Sequence, residues 1–420
     1  MTERMLQHIW KFGYYNQHQL VTTDGDSIFI LYAGDLNHHQ GPDFLHAKIR
    51  INDAIWIGNI ELHLKSSDWL LHKHTEDANY KNIILHVVWK NDQPLQLNCP
   101  TLELQDRIAP SILHRYNELI NRASFIPCDQ KIAGIDSLIW LSWKDRLLTE
   151  RLQKKSEVLL DLLKTCNFHW DEVFWWQLAK YFGGKVNAEA FESIAQTISL
   201  KVLSKHRHQI HQTEAILLGQ AGLLNKDFSS SYPKMLKLEY EYLRRMYQFT
   251  SSRYPVFFLR MRPANFPSLR LAQLAMLLHQ NQIGFDFFKQ TDSLIEAKAM
   301  FNIAPNDYWL YHYRLEDDSC FKVKSIGADM VDHLFINAII PFLWMYGDYY
   351  KDEVLKNKSL EWLHIIKKEN NAIIEQFENL GLSVKNAADT QSLMELKKNY
   401  CDQKKCLDCA VGHQLLKNNI

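Results

Sequence analysis

The chain has 420 residues, of which 46% are hydrophobic and 23% charged, and its 48 Lys and Arg residues balance its 48 Asp and Glu residues. This length predicts two or three domains, and the composition is that of a globular protein, not a disordered or fibrous one. The zero net charge excludes wholesale attraction to nucleic acid, so any basic surface has to be local. No apolar run reaches about 18 residues and the first residues lack the apolar core of a signal peptide, so neither a membrane span nor secretion is predicted. We expect a cytoplasmic protein whose seven Cys residues are thiols or metal ligands.

A β-hairpin is the clearest predicted element of the first third of the chain. Apolar and polar residues alternate over residues 45–51 and 55–64, and the Asn52-Asp53 pair between them is typical of a tight turn. Other segments nearby have the periodicity of single helices or strands. The remaining predicted elements of this part are helices over residues 2–12, 67–80 and 110–122 and strands over residues 18–23, 27–32, 83–89 and 101–104.

From about residue 135 onwards, the chain has the 3.6-residue periodicity of helices and few strand signals. We therefore predict an α+β fold. An α/β domain with a mixed sheet, residues 1–130, is followed by a larger all-helical domain, residues 131–420. The helices predicted in the second domain cover residues 137–166, 171–182, 200–219, 232–249, 269–280, 329–346 and 360–380.

Polar residues of the hairpin form the first candidate site. Glu61, His63 and Lys65 alternate along one strand and therefore share a face, and Asp43 precedes the other strand. If the hairpin brings the carboxylates of Asp43 and Glu61 together, they can hold Mg²⁺ or Mn²⁺. His63 or Lys65 would then orient a water molecule or neutralise phosphate charge, and Glu3 could add a third carboxylate. In the alternative interpretation, Asp43 caps a turn and Glu61 is a solvated strand residue.

The same part of the chain is rich in His residues, which are common ligands of zinc and manganese. His72 and His74 lie two positions apart, so on the predicted helix they face different directions and one ion bound by both is not expected. His86, inside an apolar strand, is expected to be a hydrogen-bonded core residue. The His residues concerned are His38, His39, His46, His63, His72, His74 and His86.

A second candidate site lies near the C-terminus, where Cys401, Cys406, Cys409 and His413 have the spacing C-x4-C-x2-C-x3-H. Zinc would take the three Cys residues and either His413 or a distant Cys. A [4Fe–4S] cluster would take the three Cys residues and a fourth thiolate, for which Cys128, just after the α/β domain, is the candidate. The alternative is a solvent-exposed tail with free thiols, or a redox pair of Cys406 and Cys409.

A third candidate site is cationic. Arg260, Arg262 and Arg270 lie in a segment whose two Pro residues prevent a continuous helix. Together they could form a surface for the phosphates of a nucleic acid. In the structural alternative, the arginines pair with acids such as Glu239 and Glu241 and hold helices together.

The N-terminal part resembles the PD-(D/E)xK nuclease superfamily, whose core is an αβββαβ unit. The resemblance covers roughly residues 1–90 and rests on the element order, on Pro42-Asp43 and on Glu61-x-His63. It implies that Asp43 and Glu61 bind the metal ion. The sequence departs at His63, where that superfamily has Lys, and Lys65 on the same face would be the substitute. Some nucleases of the superfamily carry an iron–sulfur cluster held by one distant and three C-terminal Cys residues, with a different spacing.

The chain is also similar, over nearly its whole length, to a bacterial family of proteins of unknown function. The shared segments are Gly-Pro-Asp-Phe at 41–44, Ile-Leu-His-Val-Val at 84–88, Arg-Pro-Ala-Asn-Phe-Pro at 262–267 and the terminal cysteine cluster. This family resemblance implies no activity.

The leading hypothesis is a metal-dependent, nuclease-like phosphodiester hydrolase of DNA or RNA, with Mg²⁺ or Mn²⁺ in the first site, a structural cluster or zinc ion in the second, and a helical domain that grips the nucleic acid. One alternative is a non-catalytic binding protein on a nuclease-like scaffold. Another is a structural protein held by zinc that acts through protein partners. The sequence does not indicate the oligomeric state.

Overall fold

The structure is a computed structural model that describes residues 1–37, 39–72, 74, 77–281 and 284–417. His38, and residues 73, 75 and 76 of the predicted helix 67–80, lie outside the described residues. The predicted α+β class is confirmed, because a curled mixed sheet lies in the N-terminal half and the C-terminal part is mostly helical.

The chain divides into two compact units. The first comprises Met1–Trp143, Gln376–Leu382 and Leu396–Ile420, and the second comprises Lys144–Glu375 and Ser383–Glu395. The C-terminal cysteine segment thus belongs to the same compact unit as the sheet. The sequence predicts two independently folding domains that meet near residue 130. The compact units do not test independent folding, so this boundary stays a prediction.

The sheet of the first unit has six strands in the order β1-β3-β4-β5-β6, with the short β2 also paired to β3. Strands β1, β3 and β4 are antiparallel neighbours, whereas β4, β5 and β6 are parallel. The strands are β1 Ile28–Tyr32, β2 Asp35–Leu36, β3 Phe44–Ile51, β4 Ala54–Lys65, β5 Ile83–Lys90 and β6 Thr101–Glu103.

Strands β3 and β4 form the predicted hairpin. Ile49 pairs with Trp56 and Phe44 with Ile60, and Asn52 in the turn has a positive φ of 49°. The second half of β4 is buried on both faces, because Ile60 and Leu62 are inside on one face and Glu61 and His63 are inside on the other. This burial of a polar face is unusual for a strand and marks the candidate site.

Helix α1, Glu3–Phe12, packs against β4. The Thr2 hydroxyl caps it by accepting a hydrogen bond from the Met5 N–H, and Gly13 ends it in the left-handed region. Met5, Ile9 and other apolar side chains of α1 are fully buried. The other helices of this part are α2 Asp68–Leu71 and α3 Pro110–Asn121.

The rest of the chain is built mainly from helices around one apolar core. A short hairpin of β7 His312–Arg314 and β8 Asp317–Asp318 interrupts them, so the predicted all-helical domain is not entirely helical. The helices are α4 Ser137–Thr165, α5 Trp170–Phe182, α6 Gly184–Gln196, α7 Leu200–His206, α8 Ile210–Gln220, α9 Ser231–Tyr247, α10 Pro267–Gln280, α11 Phe285–Gln290, α12 Leu294–Ala299, α13 Ala328–Leu334, α14 Ile340–Tyr350, α15 Glu353–Ile365, α16 Ala372–Asn379, α17 Ala387–Leu396 and, in the first unit, α18 Ala410–Lys417.

Three predicted elements are wrong in extent. The predicted strand 18–23 contributes only an isolated bridge between Val21 and Ser27. The predicted helix 200–219 breaks after His206, whose ring is held by Gln212 and by Tyr247. The predicted helix 360–380 breaks after α15, where residue 367 bridges to residue 386. The bridge of Val21 is local, whereas the two helix breaks lie beside contacts with Tyr247 and with residue 386, which override local helix propensity.

Among the described residues, one stretch is long and apolar enough to cross a membrane by length and composition, namely Ala328–Tyr350. Its most apolar window is 67% buried inside the protein, and the core helix of a soluble protein passes the same test. A π-helical turn, Phe335–Ile339, joins α13 to α14 within it.

Candidate functional site

The carboxylates of Asp43 and Glu61 lie side by side at the start of β3 and in the middle of β4. The Asp43 backbone N–H donates a hydrogen bond of 3.0 Å to Glu61 Oε2, and the Leu62 backbone N–H donates one of 3.0 Å to Asp43 Oδ2. Each carboxylate therefore accepts from the strand that carries the other. A bulge between Phe44 and Ala47 shifts the hairpin register by one residue, and this shift brings the two acids together.

The two acids are buried, and Glu61 is only 5% exposed. Loss of hydration raises the pKa of both carboxyl groups, the nearby Glu3 raises both further, and repulsion from Asp43 also raises that of Glu61. Gln7 of α1 donates a hydrogen bond of 2.8 Å to Asp43 Oδ1, which opposes this effect. Helix α1 thus brings both a third acid and a neutral donor to the pair. Such a group of acids favours a shared proton or a shared cation.

His63 follows on the same face of β4 and is 0% exposed. Its Nδ1 lies 2.9 Å from Nε2 of His86 on β5, and its Nε2 lies 3.1 Å from Nδ1 of His72. Glu61 Oε1 lies 3.6 Å from His63 Nε2 and 3.4 Å from His74 Nε2. The imidazole rings of His63 and His74 therefore flank this oxygen of Glu61, and the rings of His72 and His86 adjoin His63.

The imidazoles of His63, His74 and His86 favour the neutral form. Burial, followed by repulsion from the other imidazoles, lowers the pKa of His63 to about 2 and that of His86 to about 4. Burial also lowers the pKa of His74. His63 consequently cannot supply the positive charge of the Lys residue that the nuclease resemblance places there, but its nitrogen lone pairs remain available to a metal ion.

The predicted helix 67–80 is wrong, and so is the expectation that His72 and His74 point apart. Helix α2 ends at Leu71, and the chain turns so that the His74 N–H donates to the Trp69 carbonyl at 3.4 Å. The His74 ring stacks on Tyr80 at 3.9 Å between centroids. The turn brings both imidazoles back over β4, because aromatic packing wins over local helix propensity.

Lys65, the predicted substitute for the missing Lys, stands at the exposed end of β4. Its backbone N–H donates to Asp68 Oδ2 at 2.9 Å. Strand parity places its side chain on the Glu61 face, two residues beyond His63.

The four Cys residues of the second candidate site come together in the first unit. Cys406 and Cys409 are buried and Cys128 and Cys401 are partly buried. Burial raises the pKa of all four thiols, to about 12 for Cys128 and about 11 for Cys406, and repulsion from neighbouring thiols raises it for Cys128, Cys401 and Cys406. Cys128 is thus close to a segment that follows it by more than 270 residues.

Hydrogen-bond donors converge on one of these sulfurs. The backbone N–H groups of Val411 and Gly412 and the indole group of Trp143 lie close enough to Cys409 to oppose the effect of burial on its pKa and to favour the thiolate. A Cβ atom at Gly412 would lie 2.0 Å from the Cys406 carbonyl oxygen, so only glycine lets α18 approach this closely. Among the described residues, no three of the Cys sulfurs lie within 4.8 Å of one another.

His413, the alternative zinc ligand, faces the end of α1 instead. Its Nε2 lies 3.0 Å from the Tyr14 hydroxyl, and its ring packs 4.1 Å from the ring of Phe12. Cys99, Cys166 and Cys320 lie elsewhere as free thiols.

The three arginines of the third candidate site have different surroundings in the second unit. Arg260 and Arg262 are exposed, whereas Arg270 is buried. The guanidinium group of Arg270 donates to Asn265 Oδ1 at 2.7 Å and to Gln273 Oε1 at 2.9 Å, and burial lowers its pKa to about 10. Its side chain lines a cavity of about 460 Å³. Arg270 therefore has amide partners, not the acids at 239 and 241.

Sequence reasoning identified Asp43, Glu61 and His63 but did not place His72, His74 and His86 around them. Two features of the sequence pointed towards this cluster, namely the apolar neighbours of His86, which indicate a buried strand, and the alternation of polar residues along β4. No curated protein and no solved structure shows significant similarity to the chain. One family does match, over residues 3–372, which include Asp43, Glu61 and Cys128 but not the three C-terminal Cys residues. The chain therefore belongs to the family described as "Protein of unknown function (DUF2851)".

Proposed function

We propose that this protein is a metal-dependent phosphodiester hydrolase that acts on DNA or RNA. The observation that carries the proposal is the buried pair of Asp43 and Glu61 carboxylates, joined through the backbone of the two strands, with Glu3 beside them. Paired carboxylates are the ligands of Mg²⁺ and Mn²⁺ in many phosphodiester hydrolases.

The order of elements supports the same proposal. Apart from the two-residue strand β2 and a 3₁₀ turn before β5, helix α1, strands β1, β3 and β4, the short helix α2 and strand β5 have the order of the αβββαβ core of the PD-(D/E)xK nucleases. The acids stand where that resemblance expects them, at the start of one strand and in the middle of the next. The nuclease-like fold is part of the proposal.

In the proposed reaction, Asp43 and Glu61 would hold the ion, which would lower the pKa of a water ligand and stabilise charge on the phosphoryl oxygens. The water oxygen would form a bond to phosphorus as the P–O bond to the leaving group breaks, and the leaving oxygen would take up the proton that the water releases. His63, being neutral, can orient the water or bind the ion but cannot neutralise phosphate. That role is left to Lys65 at the exposed end of β4.

We assign nucleic-acid contacts to Arg260 and Arg262, which are exposed cations in a segment without regular helix apart from a short 3₁₀ turn, Pro263–Asn265. Arg270 can take part only where a phosphate enters the cavity that it lines. A net charge of zero makes such local contacts the expected source of affinity.

The four Cys residues support a structural metal centre in this proposal. Around one tetrahedral zinc ion, sulfurs bound at about 2.3 Å lie about 3.8 Å apart. An iron–sulfur cluster holds its sulfurs farther apart because each binds a different iron atom. Of the two centres, the proposal takes a [4Fe–4S] cluster bound by Cys128, Cys401, Cys406 and Cys409, because one distant and three C-terminal Cys residues hold the cluster in the iron–sulfur nucleases that the N-terminal part resembles.

One observation favours the second candidate function, a non-catalytic scaffold that binds nucleic acid or protein. The carboxylates already accept hydrogen bonds from Leu62, Gln7 and the backbone of Asp43, and a neutral His63 stands in place of a cationic Lys. These hydrogen bonds can hold the two carboxylates in place in a protein that does not catalyse hydrolysis.

Cleavage assays separate the two candidates. Single- and double-stranded DNA and RNA are incubated with the wild-type protein and with Mg²⁺ or Mn²⁺. We expect Asp43→Asn and Glu61→Gln to lower cleavage by at least about 100-fold, the order expected for one catalytic group. Asp53→Asn, in the exposed hairpin turn, is the matched control and should cleave like the wild type. Equal cleavage by all four proteins would mean a contaminating nuclease. If the wild-type protein does not cleave, the hydrolase proposal is wrong and the non-catalytic scaffold is the function that remains.

The cysteine centre has its own test. Anaerobically purified protein is expected to be brown and to contain iron and acid-labile sulfide, and Cys406→Ser should lose both. Cys320→Ser, at an exposed thiol outside the group, should keep them. Colourless protein that contains zinc would contradict the cluster. Protein that contains neither iron nor zinc would mean that the four Cys residues are free thiols.

A further inference from the structure

The imidazoles around Glu61 form an arrangement of their own. Among the described residues, the one group of three or more ligand-type side chains whose donor atoms all lie within 4.8 Å of one another is His63, His72 and His74. Glu61 Oε1 adjoins two of them, at 3.6 Å from His63 Nε2 and 3.4 Å from His74 Nε2. We propose that Glu61, His63, His72 and His74 bind a divalent transition-metal ion of the zinc and manganese class.

The spacing of the donor atoms matches such an ion. Nitrogens bound at about 2.0–2.1 Å to a tetrahedral zinc ion lie about 3.3 Å apart. His63 Nε2 and His72 Nδ1 are 3.1 Å apart, and the two distances to Glu61 Oε1 lie close to the same value. Three imidazoles and one carboxylate suit zinc, manganese or iron better than Mg²⁺, which prefers oxygen ligands.

One ligand nitrogen is left without a hydrogen bond. His74 is buried, and its Nε2 makes a hydrogen bond with no described residue although it lies near Glu61. Buried polar atoms are almost always satisfied, so an orphaned nitrogen aimed into a cluster of other donors points to a missing ligand. A metal ion would satisfy it.

A further histidine orients the cluster. His86 pairs with Glu61 in the parallel register of β4 and β5, and its Nε2 lies 2.9 Å from His63 Nδ1. With His63 Nδ1–H donating to His86, the lone pair of His63 Nε2 faces His72 and the centre of the cluster. Metal-bound His residues usually have such a second partner. The ion would replace the proton that His63 and His72 share without metal.

The site has a closed wall and an open side. Trp69 packs against His86, and Tyr80 stacks on His74, so the inner side of the cluster is apolar. His72 is exposed and gives an ion a route of entry. His72 is also the ligand that water or another molecule can displace most easily.

This inference shares Glu61 with the proposed function but does not need hydrolysis. The test loads the full-length protein with Zn²⁺ or with Co²⁺ alone, removes excess ion, and measures metal content and the visible Co²⁺ spectrum. We expect His72→Ala and His74→Ala each to lose about one metal equivalent per chain and the intense bands of four-coordinate Co²⁺. His114→Ala, at a 74% exposed side chain of α3, is the matched control and should bind like the wild type. The cysteines are intact in all four proteins, so the difference reports only on the imidazole cluster.

Circular dichroism verifies folding, and the exposed position of His72 makes its variant the decisive one. If folded His72→Ala and His74→Ala bind as much Zn²⁺ and Co²⁺ as the wild type, the inference is wrong. Metal loss in these variants without any nuclease activity in the wild type would support the site and refute the proposed function. If the wild-type protein cleaves nucleic acid with Mg²⁺ but takes up no Zn²⁺ or Co²⁺ at the imidazole cluster, the proposed function is supported and the imidazole metal site is refuted.

Discussion

Glu214 of α8 is a fully buried acid, and its substitution tests how the second unit tolerates a charge. The carboxylate accepts hydrogen bonds from the Tyr232 hydroxyl at 2.6 Å, from Asn306 Nδ2 at 2.7 Å and from the Trp309 indole at 3.2 Å. Burial nevertheless raises the pKa of Glu214 from 4.5 to about 7. The folded protein therefore binds this proton more tightly than the unfolded chain does.

The sign of the pH dependence follows from this difference. Below pH 4.5, the carboxyl is protonated in both states and its contribution to stability is fully present. As the pH rises from 4.5 to about 7, the unfolded chain loses the proton first and the folded state is destabilised. The two pKa values correspond to about 3 kcal/mol of unfolding free energy lost across this window, to within a factor of two.

Glu214→Gln keeps the size of the side chain and removes the titration. Its amide oxygen can still accept from Asn306 and Trp309, and its amide N–H can donate to the Tyr232 oxygen. We expect the variant to match the wild type at pH 4.5 to within about 1 kcal/mol and to exceed it by about 2–3 kcal/mol at pH 8. Urea denaturation of the full-length proteins, followed by circular dichroism, measures the difference at each pH.

The control is Glu157→Gln on α4, because the side chain of Glu157 is exposed. This substitution should change the free energy of unfolding by no more than about 0.5 kcal/mol at every pH. A difference between Glu214→Gln and the wild type that does not change with pH would refute the reasoning. So would a variant that becomes relatively less stable as the pH rises, because the hydrogen bonds from Tyr232, Asn306 and Trp309 would then hold the carboxylate charged.

Three further predictions concern close backbone contacts and the arginine segment. Gly412→Ala should lower the cluster content of anaerobically purified protein, since its Cβ would lie 2.0 Å from the Cys406 carbonyl; an unchanged iron content would contradict this. Gly58→Ala in β4 should lower the free energy of unfolding by about 1–3 kcal/mol in urea denaturation, because its Cβ would lie 2.5 Å from Ile84 Cγ2. Arg262→Gln should weaken binding to a single-stranded oligonucleotide and reduce the magnitude of its log–log salt slope by about 0.7, with no change in thermal stability; an unchanged slope would remove Arg262 from the interface.

Local pattern was enough to predict the hairpin, because the alternation along its strands and the turn at Asn52 are local signals. The register set by the turn would put Asp43 opposite Leu62. A bulge between Phe44 and Ala47, where His46 has a positive φ of 59°, shifts the pairing by one residue and brings Asp43 next to Glu61. The helix α1 was predictable for the same reason, since its period and its cap lie within a dozen residues. The end of the short helix α2 was not predictable from local pattern. After Leu71, the packing of aromatic and imidazole rings outweighs the helix propensity of the chain.

The sequence by itself determined the α+β class, the hairpin, and the spacing of the C-terminal Cys residues, since each depends on neighbours along the chain. Only the tertiary structure decided that His72 and His74 meet His63 over β4, that Cys128 joins a segment more than 270 residues away, and that Arg270 is buried. These outcomes depend on contacts between distant residues, whose free energies outweigh local preferences and leave no periodic trace in the chain.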